Sequence, residues 1–223
     1  MIYNQKSKIA VHQDQAAVNH MYISIKQYCD QLASEFQLIP QERKEILNKI
    51  SQYIILKQKE NKPINLVYIC THNSRRSHFG QIWGHVAANY YGIKNVYTFS
   101  GGTEVTAFNI NAINSLKRVG FNIKPIKIEK NSTYHVCHDD IEAPSVCFSK
   151  TYDDAKNPQK EFAAIMTCSD AEENCPFIPG VELRIGTKYD DPKAFDNTPE
   201  QDTKYDERCK QIALETLYVF SKL

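Results

Sequence analysis

The chain has 223 residues, 42% of them hydrophobic, and 27 lysines and arginines set against 26 acidic residues leave a formal net charge of +1. That length buries one good core plus an appendage, near-neutral charge gives no reason to expect nucleic acid as a partner, and no window approaches the roughly 18 apolar residues of a membrane span. Seven cysteines, at positions 29, 70, 137, 147, 168, 175 and 209, are odd in number and scattered, a poor disulfide framework that fits a reducing cytoplasm better than secretion.

The first ten residues hold no long apolar run, so the N-terminus reads as unprocessed. Between positions 18 and 36, Val18, Met21, Tyr22, Ile25, Tyr28, Leu32 and Phe36 keep one face apolar at helical spacing, which predicts an amphipathic helix. Pro40 stands where a second helix begins. Ile46, Leu47, Ile50 and Ile54 give that helix its apolar face, and Asn61-Lys62-Pro63 ends it. The pair reads as a helical hairpin, an N-terminal extension over residues 1–62 ahead of a catalytic domain over residues 63–223. Packing against the core or a dimer face is the plain role for it; gating substrate or docking a partner is the other.

Residues 65–77, Asn-Leu-Val-Tyr-Ile-Cys-Thr-His-Asn-Ser-Arg-Arg-Ser, read as a buried strand entering a polar loop and then a helix. A loop at a helix N-terminus turns backbone N–H groups inward and attracts anions. The same field favours thiolate, and a cysteine so placed has a pKa that can fall to roughly 3.5 to 7.5, which makes Cys70 a candidate nucleophile. Arg76, six positions on, offers a planar fork for two oxygens of a tetrahedral oxyanion. The plain alternative is an inert strand-end cysteine beside two solvated arginines.

A cysteine, five residues and Arg-Ser, with Asn third after the cysteine, resembles the motif of the low-molecular-weight protein tyrosine phosphatases and the thioredoxin-coupled arsenate reductases that share their fold. Here the motif is Cys70, Asn73, Arg76 and Ser77. The resemblance implies a substrate-binding loop of Thr71, His72, Asn73, Ser74, Arg75 and Ser77, in which Asn73 and Ser77 shape the loop and lower the thiol pKa. Two positions depart: the family usually has Gly at the place of His72 and often Cys at the place of Arg75. Gly tolerates positive φ and His does so less easily, so His72 predicts a narrower loop or a different backbone angle.

Beyond the loop, residues 76–90 should be helical, with Phe79, Ile82, Trp83 and Val86 on the packed side, and His78 and His85 read as packing or surface residues. Residues 96–99 make a second strand closed by Ser100-Gly101-Gly102, and residues 109–119 a helix ended by Gly120. This alternation predicts an α/β protein with a short parallel sheet flanked by helices and a ligand site at the carboxyl ends of the strands. From 129 to 160 the pattern loosens and reads as an insertion bordering the site, with a short strand at 145–149. The run His135-Val136-Cys137-His138-Asp139-Asp140 is too tight for a familiar zinc pattern, and no metal is expected.

Residues 161–167 form a third strand leading into Cys168-Ser-Asp-Ala-Glu-Glu-Asn-Cys175-Pro176. Two cysteines with six residues between them after a strand, with Asp-Ala between and Pro after, resemble the redox segment of the thioredoxin-coupled arsenate reductases. The resemblance implies that Cys168 attacks an arsenic adduct on Cys70 and that Cys175 resolves the resulting disulfide, leaving a Cys168–Cys175 disulfide for thioredoxin; no bound cofactor is implied. A helix from 168 to 175 would set the two Cα atoms roughly 10.5 Å apart, whereas a disulfide needs less than about 7 Å. The segment must therefore unwind during turnover, which helix-poor Ser169, Asp170 and Asn174 make easier.

Asp191, directly before Pro192, matches the family's Asp-Pro loop, whose aspartate protonates the leaving oxygen. The phosphatases commonly place two tyrosines just after it, where this chain has Lys193, Ala194 and Phe195. Last, Thr198 and Gln201 suggest a capping box with Pro199 at the first helical position, opening a helix whose Tyr205, Cys209, Ile212, Leu217 and Phe220 face the sheet. The expectation is cysteine-dependent oxyanion chemistry: arsenate reduction fed by thioredoxin. The alternatives are hydrolysis of phosphate monoesters, with the second cysteine pair only protecting Cys70, and a module that binds oxyanions or senses redox state without turnover.

Overall fold

The computed structural model describes residues 20–174 and 177–223. Four parallel strands make the main sheet: β1 (Ile64–Cys70), β2 (Val96–Gly102), β6 (Phe162–Met166) and β7 (Val181–Gly186), in the order β2-β1-β6-β7. Strand β1 sits inside, and its residues alternate between two apolar layers as a pleated strand requires. Leu66 and Tyr68 face the larger core, Val67 and Ile69 the smaller one. The larger face is covered by helices α1 (Ile23–Ala33), α2 (Gln41–Lys59), α3 (Arg76–Tyr90), α4 (Ile110–Val119) and α6 (Gln201–Phe220). The smaller is closed by the short helix α5 (Ser169–Asn174) and Ile178. Because Ile64 pairs with Val96 and Cys70 with Gly102, and Ile69 pairs with Met166, the segments after β1, β2 and β6 leave the sheet at one edge.

Ile25, Cys29 and Leu32 of α1 and Leu47, Ile50 and Ile54 of α2 share one apolar cluster with Leu66, Trp83 and Leu217. The buried Lys57 ammonium meets Glu182 of β7 at 2.6 Å, and the Tyr53 hydroxyl donates to the same carboxylate. The first helix is shorter than its apolar spacing predicts. Met21 pairs with Asp139 and the Tyr22 N–H donates to the His138 carbonyl, so both are extended, while Phe36 belongs to a 3₁₀ turn. The predicted start at Val18 lies outside the described residues. Pro40 becomes the N-cap of α2 and not its first residue.

The loosely patterned region is ordered. Strands β3 (Asn122–Lys127), β4 (Thr133–Cys137) and β5 (Ser145–Cys147) form a three-stranded antiparallel sheet. Of β3 only Ile123 is buried and Pro125 breaks the ladder register, so it is an edge strand without the apolar alternation that sequence reading needs. His138 turns inward, where its ring meets that of His85 at 4.8 Å and its Nε2 lies 2.7 Å from Asn89 Nδ2. Among the described residues no three His, Cys, Asp or Glu side chains group as metal ligands, and no helix is long and apolar enough to cross a membrane.

Helix α6 begins at Gln201, later than a box at Thr198 would start it. Asn197 is left-handed (φ 63°), which turns the chain so that Gln201 Oε1 accepts from the Asn197 N–H, while Thr198 Oγ accepts from Glu200. Cys209 packs in the core and accepts from Trp83 Nε1 at 3.3 Å, and burial pushes its thiol up to about 12.

Helix α3 lies close on β1 because Gly80 faces Tyr68. A Cβ at Gly80 would stand 2.3 Å from Tyr68 Cδ1. Gly80→Ala should therefore destabilise the protein by about 1 to 3 kcal/mol despite alanine's better helix propensity, read as a lower urea midpoint at unchanged m-value.

Candidate functional site

The loop after β1 is gripped from outside by its carbonyls. The Cys70 and Thr71 carbonyls accept from Thr103 and Glu104, that of His72 from Ser149 Oγ and Thr106 Oγ1, and that of Ser74 from the Asn109 N–H. With the carbonyls turned out, the N–H groups of residues 71–75 have no acceptor among the described residues, which is the geometry of an anion cradle. Gly102 lets the neighbouring strand end press on the loop, since a Cβ there would sit 2.7 Å from both the Asn73 nitrogen and the Thr71 oxygen.

Asn73 takes the left-handed conformation in this loop (φ 42°), and His72 does not, so the departure from Gly at His72 creates no backbone strain. The buried Asn73 amide accepts the Lys150 N–H at 2.9 Å and donates to Ser77 Oγ at 2.8 Å. That bond occupies the Ser77 oxygen as acceptor and leaves its own proton for Cys70 Sγ, 3.1 Å away. His72 points outward, its Nε2 3.4 Å from Glu104, and the Ser74 hydroxyl is given to the Ala107 carbonyl.

Cys168 lies beside this loop. Thr167 continues the β1–β6 register by donating to the Ile69 carbonyl, and Cys168 Sγ comes within 3.4 Å of Thr71 Oγ1, in one apolar cluster with Cys70. The sulfur also accepts the Ala171 N–H from the first turn of α5. All six residues between Cys168 and position 175 are helical. Cys175 itself lies outside the described residues.

Asp191 stands across the mouth of the loop. It caps the 3₁₀ turn Pro192–Phe195 and receives Arg75 Nε at 2.8 Å and Arg76 Nη2 at 2.7 Å. Burial pushes its carboxyl up, but Arg76, Arg75 and the Lys193 N–H outweigh it and hold the group below the usual carboxylate range. Arg76 Nη1 donates to the Tyr189 carbonyl, while Arg76 Nε is buried with no partner among the described residues. Beneath, Tyr189 Oη and Arg43 of α2 both reach the Glu215 carboxylate at 2.7 Å, and Arg43 also holds the Thr187 carbonyl. Helix α2 thus braces the segment that carries Asp191.

Sequence reading missed Ser149, Lys150, Thr187, Tyr189, Arg43 and Glu215. A buried carboxylate on an otherwise apolar helix face was the one signal for Glu215. A cavity of about 370 Å³ opens beside the loop, lined by His72, Ser74, Arg75, Phe108, Ile110 and Lys193 among others. Removing the shared counter-ion with Glu215→Leu should leave Arg43 unpaired and cost about 3 kcal/mol, measured by urea unfolding, with oxyanion affinity weakened as the Tyr189 carbonyl loses its brace.

No protein-family model matches the chain. It is 28% identical over 151 residues to "Arsenate reductase" of Bacillus subtilis (strain 168), spanning 68% of this chain and 88% of that protein. It is 30% identical over 134 residues to "Arsenate reductase" of Brevibacillus brevis, spanning 60% and 79%. Among solved structures, a low-molecular-weight phosphotyrosine phosphatase from Vibrio cholerae superposes with a TM-score of 0.49 at 13% identity, covering 71% of this chain and 95% of that one. At 30% identity over most of the length of the Brevibacillus protein, the chain belongs to the arsenate reductase family.

Proposed function

We propose that the protein reduces arsenate to arsenite by a thiol relay through Cys70, Cys168 and Cys175, in the cytoplasm, with thioredoxin as electron donor. The observation that carries this reading is a second buried cysteine, Cys168, held 3.4 Å from Thr71 of the nucleophile's own loop. A phosphate ester hydrolase has no chemical need of it.

Arsenate enters the cradle of free N–H groups and takes Arg76, whose unpartnered Nε is ready for an oxygen. As the oxyanion draws on Arg76, Asp191 loses part of the field that keeps it ionised and can carry a proton. The Cys70 thiolate attacks arsenic, and the departing oxygen leaves as water with that proton. Cys168 as thiolate then attacks Cys70 sulfur. The S–As bond breaks with its electron pair going to arsenic, which is reduced from As(V) to As(III) and leaves as arsenite, while Cys70 and Cys168 become a disulfide. Cys175 attacks Cys168, frees Cys70 and forms the Cys168–Cys175 disulfide, which thioredoxin reduces. Helix α5 must unwind for that step, which releases the Glu172 carbonyl from Arg184 of β7 and the Glu172 carboxylate from the half-exposed Lys188, 2.9 Å away.

One observation favours phosphate monoester hydrolysis as a second reading: the 370 Å³ cavity beside the loop is larger than arsenate requires. One assay separates the two. With thioredoxin, thioredoxin reductase and NADPH, arsenate-dependent NADPH oxidation should vanish in Cys70→Ser, Cys168→Ser and Cys175→Ser. Hydrolysis of p-nitrophenyl phosphate that survives Cys168→Ser, with no arsenate-dependent oxidation in the parent, would instead establish the phosphatase.

Asp191 is also an internal competitor for the arginines. On a Cys70→Ser background, Asp191→Asn should tighten arsenate binding roughly five- to tenfold by calorimetry, about 1 kcal/mol. With Cys70 intact the same change should lower kcat by ~10² or more as the proton donor is lost.

A further inference from the structure

A second, larger groove lies behind the loop. It encloses about 800 Å³ between the outer edge of β2, the C-terminal half of α3 and the segment 142–150. Lys150 lines it and is only 4% exposed. Its ammonium sits 4.8 Å from the centre of the Phe148 ring, and no carboxylate among the described residues comes within ion-pair distance of it. Burial, with Lys156 nearby, pushes the Lys150 ammonium below its ordinary pKa, against Cys147 and Asp154, which pull the other way.

Three other polar side chains in the groove are already used. Gln81 bonds Ser100 and the Val146 carbonyl, His85 bonds Ser145, and Asn89 bonds His138. Among the lysines of the lining, Lys150 is the buried one. Lys94 and Lys156 stand at the exposed rim against a single carboxylate, Glu142. Pro144, Val146 and Phe148 supply apolar wall. The volume lies within the range of small-molecule sites.

We propose that this groove is a second binding site, distinct from the Cys70 loop, for a small organic anion whose acidic head pairs with Lys150 Nζ and whose apolar or aromatic body lies beside Phe148. The site shares backbone with the loop, since the Lys150 N–H holds Asn73 and the Lys150 carbonyl accepts the Gly102 N–H. It does not rest on the proposed reduction: its ligand reaches a lysine that the relay does not use.

The test is a fluorescence titration of the full chain with 8-anilinonaphthalene-1-sulfonate, beside its uncharged analogue N-phenyl-1-naphthylamine. Saturable sulfonate binding is expected, weakened about tenfold or more by Lys150→Met, the loss of one charge-assisted bond, with the uncharged dye unaffected. Saturating arsenate should not displace the dye. Adenosine monophosphate and octanoate, added at millimolar concentration, separate a phosphate from a carboxylate head, and displacement by either supports the site. Sulfonate binding unchanged in Lys150→Met, displacement by arsenate, or displacement by neither organic anion would overturn it. Should Lys150→Met fail to fold, Lys156→Glu at the rim carries the test: a roughly three- to fivefold loss is expected, and no change refutes the site.

Discussion

One side chain amide sets the shape of the loop. Asn73 is buried, left-handed in backbone, and bonded on both ends of its carboxamide, to the Lys150 N–H and to Ser77 Oγ. The first bond ties the loop to the segment that follows β5, and the second orders the serine hydroxyl toward Cys70 sulfur. Aspartate at this position has no N–H to give the serine, and alanine would leave both neighbours without a partner in a place where unmade bonds are expensive. The outward carbonyls and inward N–H groups follow from the same turn.

The electrostatics follow from burying two adjacent arginines at a strand end. Arg75 and Arg76 are 6% and 7% exposed, and a buried pair of like charges needs an anion whether or not substrate is present. Asp191 fills that need in the free protein. In the proposed reaction the free and the liganded states differ by an exchange of anions over a fixed cationic site, which keeps the arginines desolvated and oriented throughout.

The sequence exposed those parts of the fold whose physics is local. Strand β1 shows itself as a continuous apolar run, α3 matches its expected bounds of Arg76–Tyr90, and Gly120 ends α4 in the left-handed conformation. Strand β7 was missed because Glu182 and Arg184 interrupt it, one spent on Lys57 from α2. Of the site, the loop residues were legible because they are contiguous. Arg43, Tyr189 and Glu215 were not, since Arg43 meets Glu215 across 172 residues of chain, and a carboxylate on an apolar helix face does not say which residue it pairs with. Of the antiparallel strands only β5 was legible; β3 and β4 hid for a different reason, since short, half-exposed edges carry no periodicity, and the roles of Ser149 and Lys150 hid with them.

The seven thiols are not equivalent. Cys29, Cys147 and Cys209 are fully buried, and burial pushes each up to about 12, so they offer neither access nor thiolate. Trivalent arsenic is a thiol-seeking poison, and an enzyme that releases it stands first in its path. By keeping three of the four sulfurs outside the relay protonated and sealed in the core, and leaving only Cys137 partly exposed, the fold gives the product little foothold on the very molecule that made it.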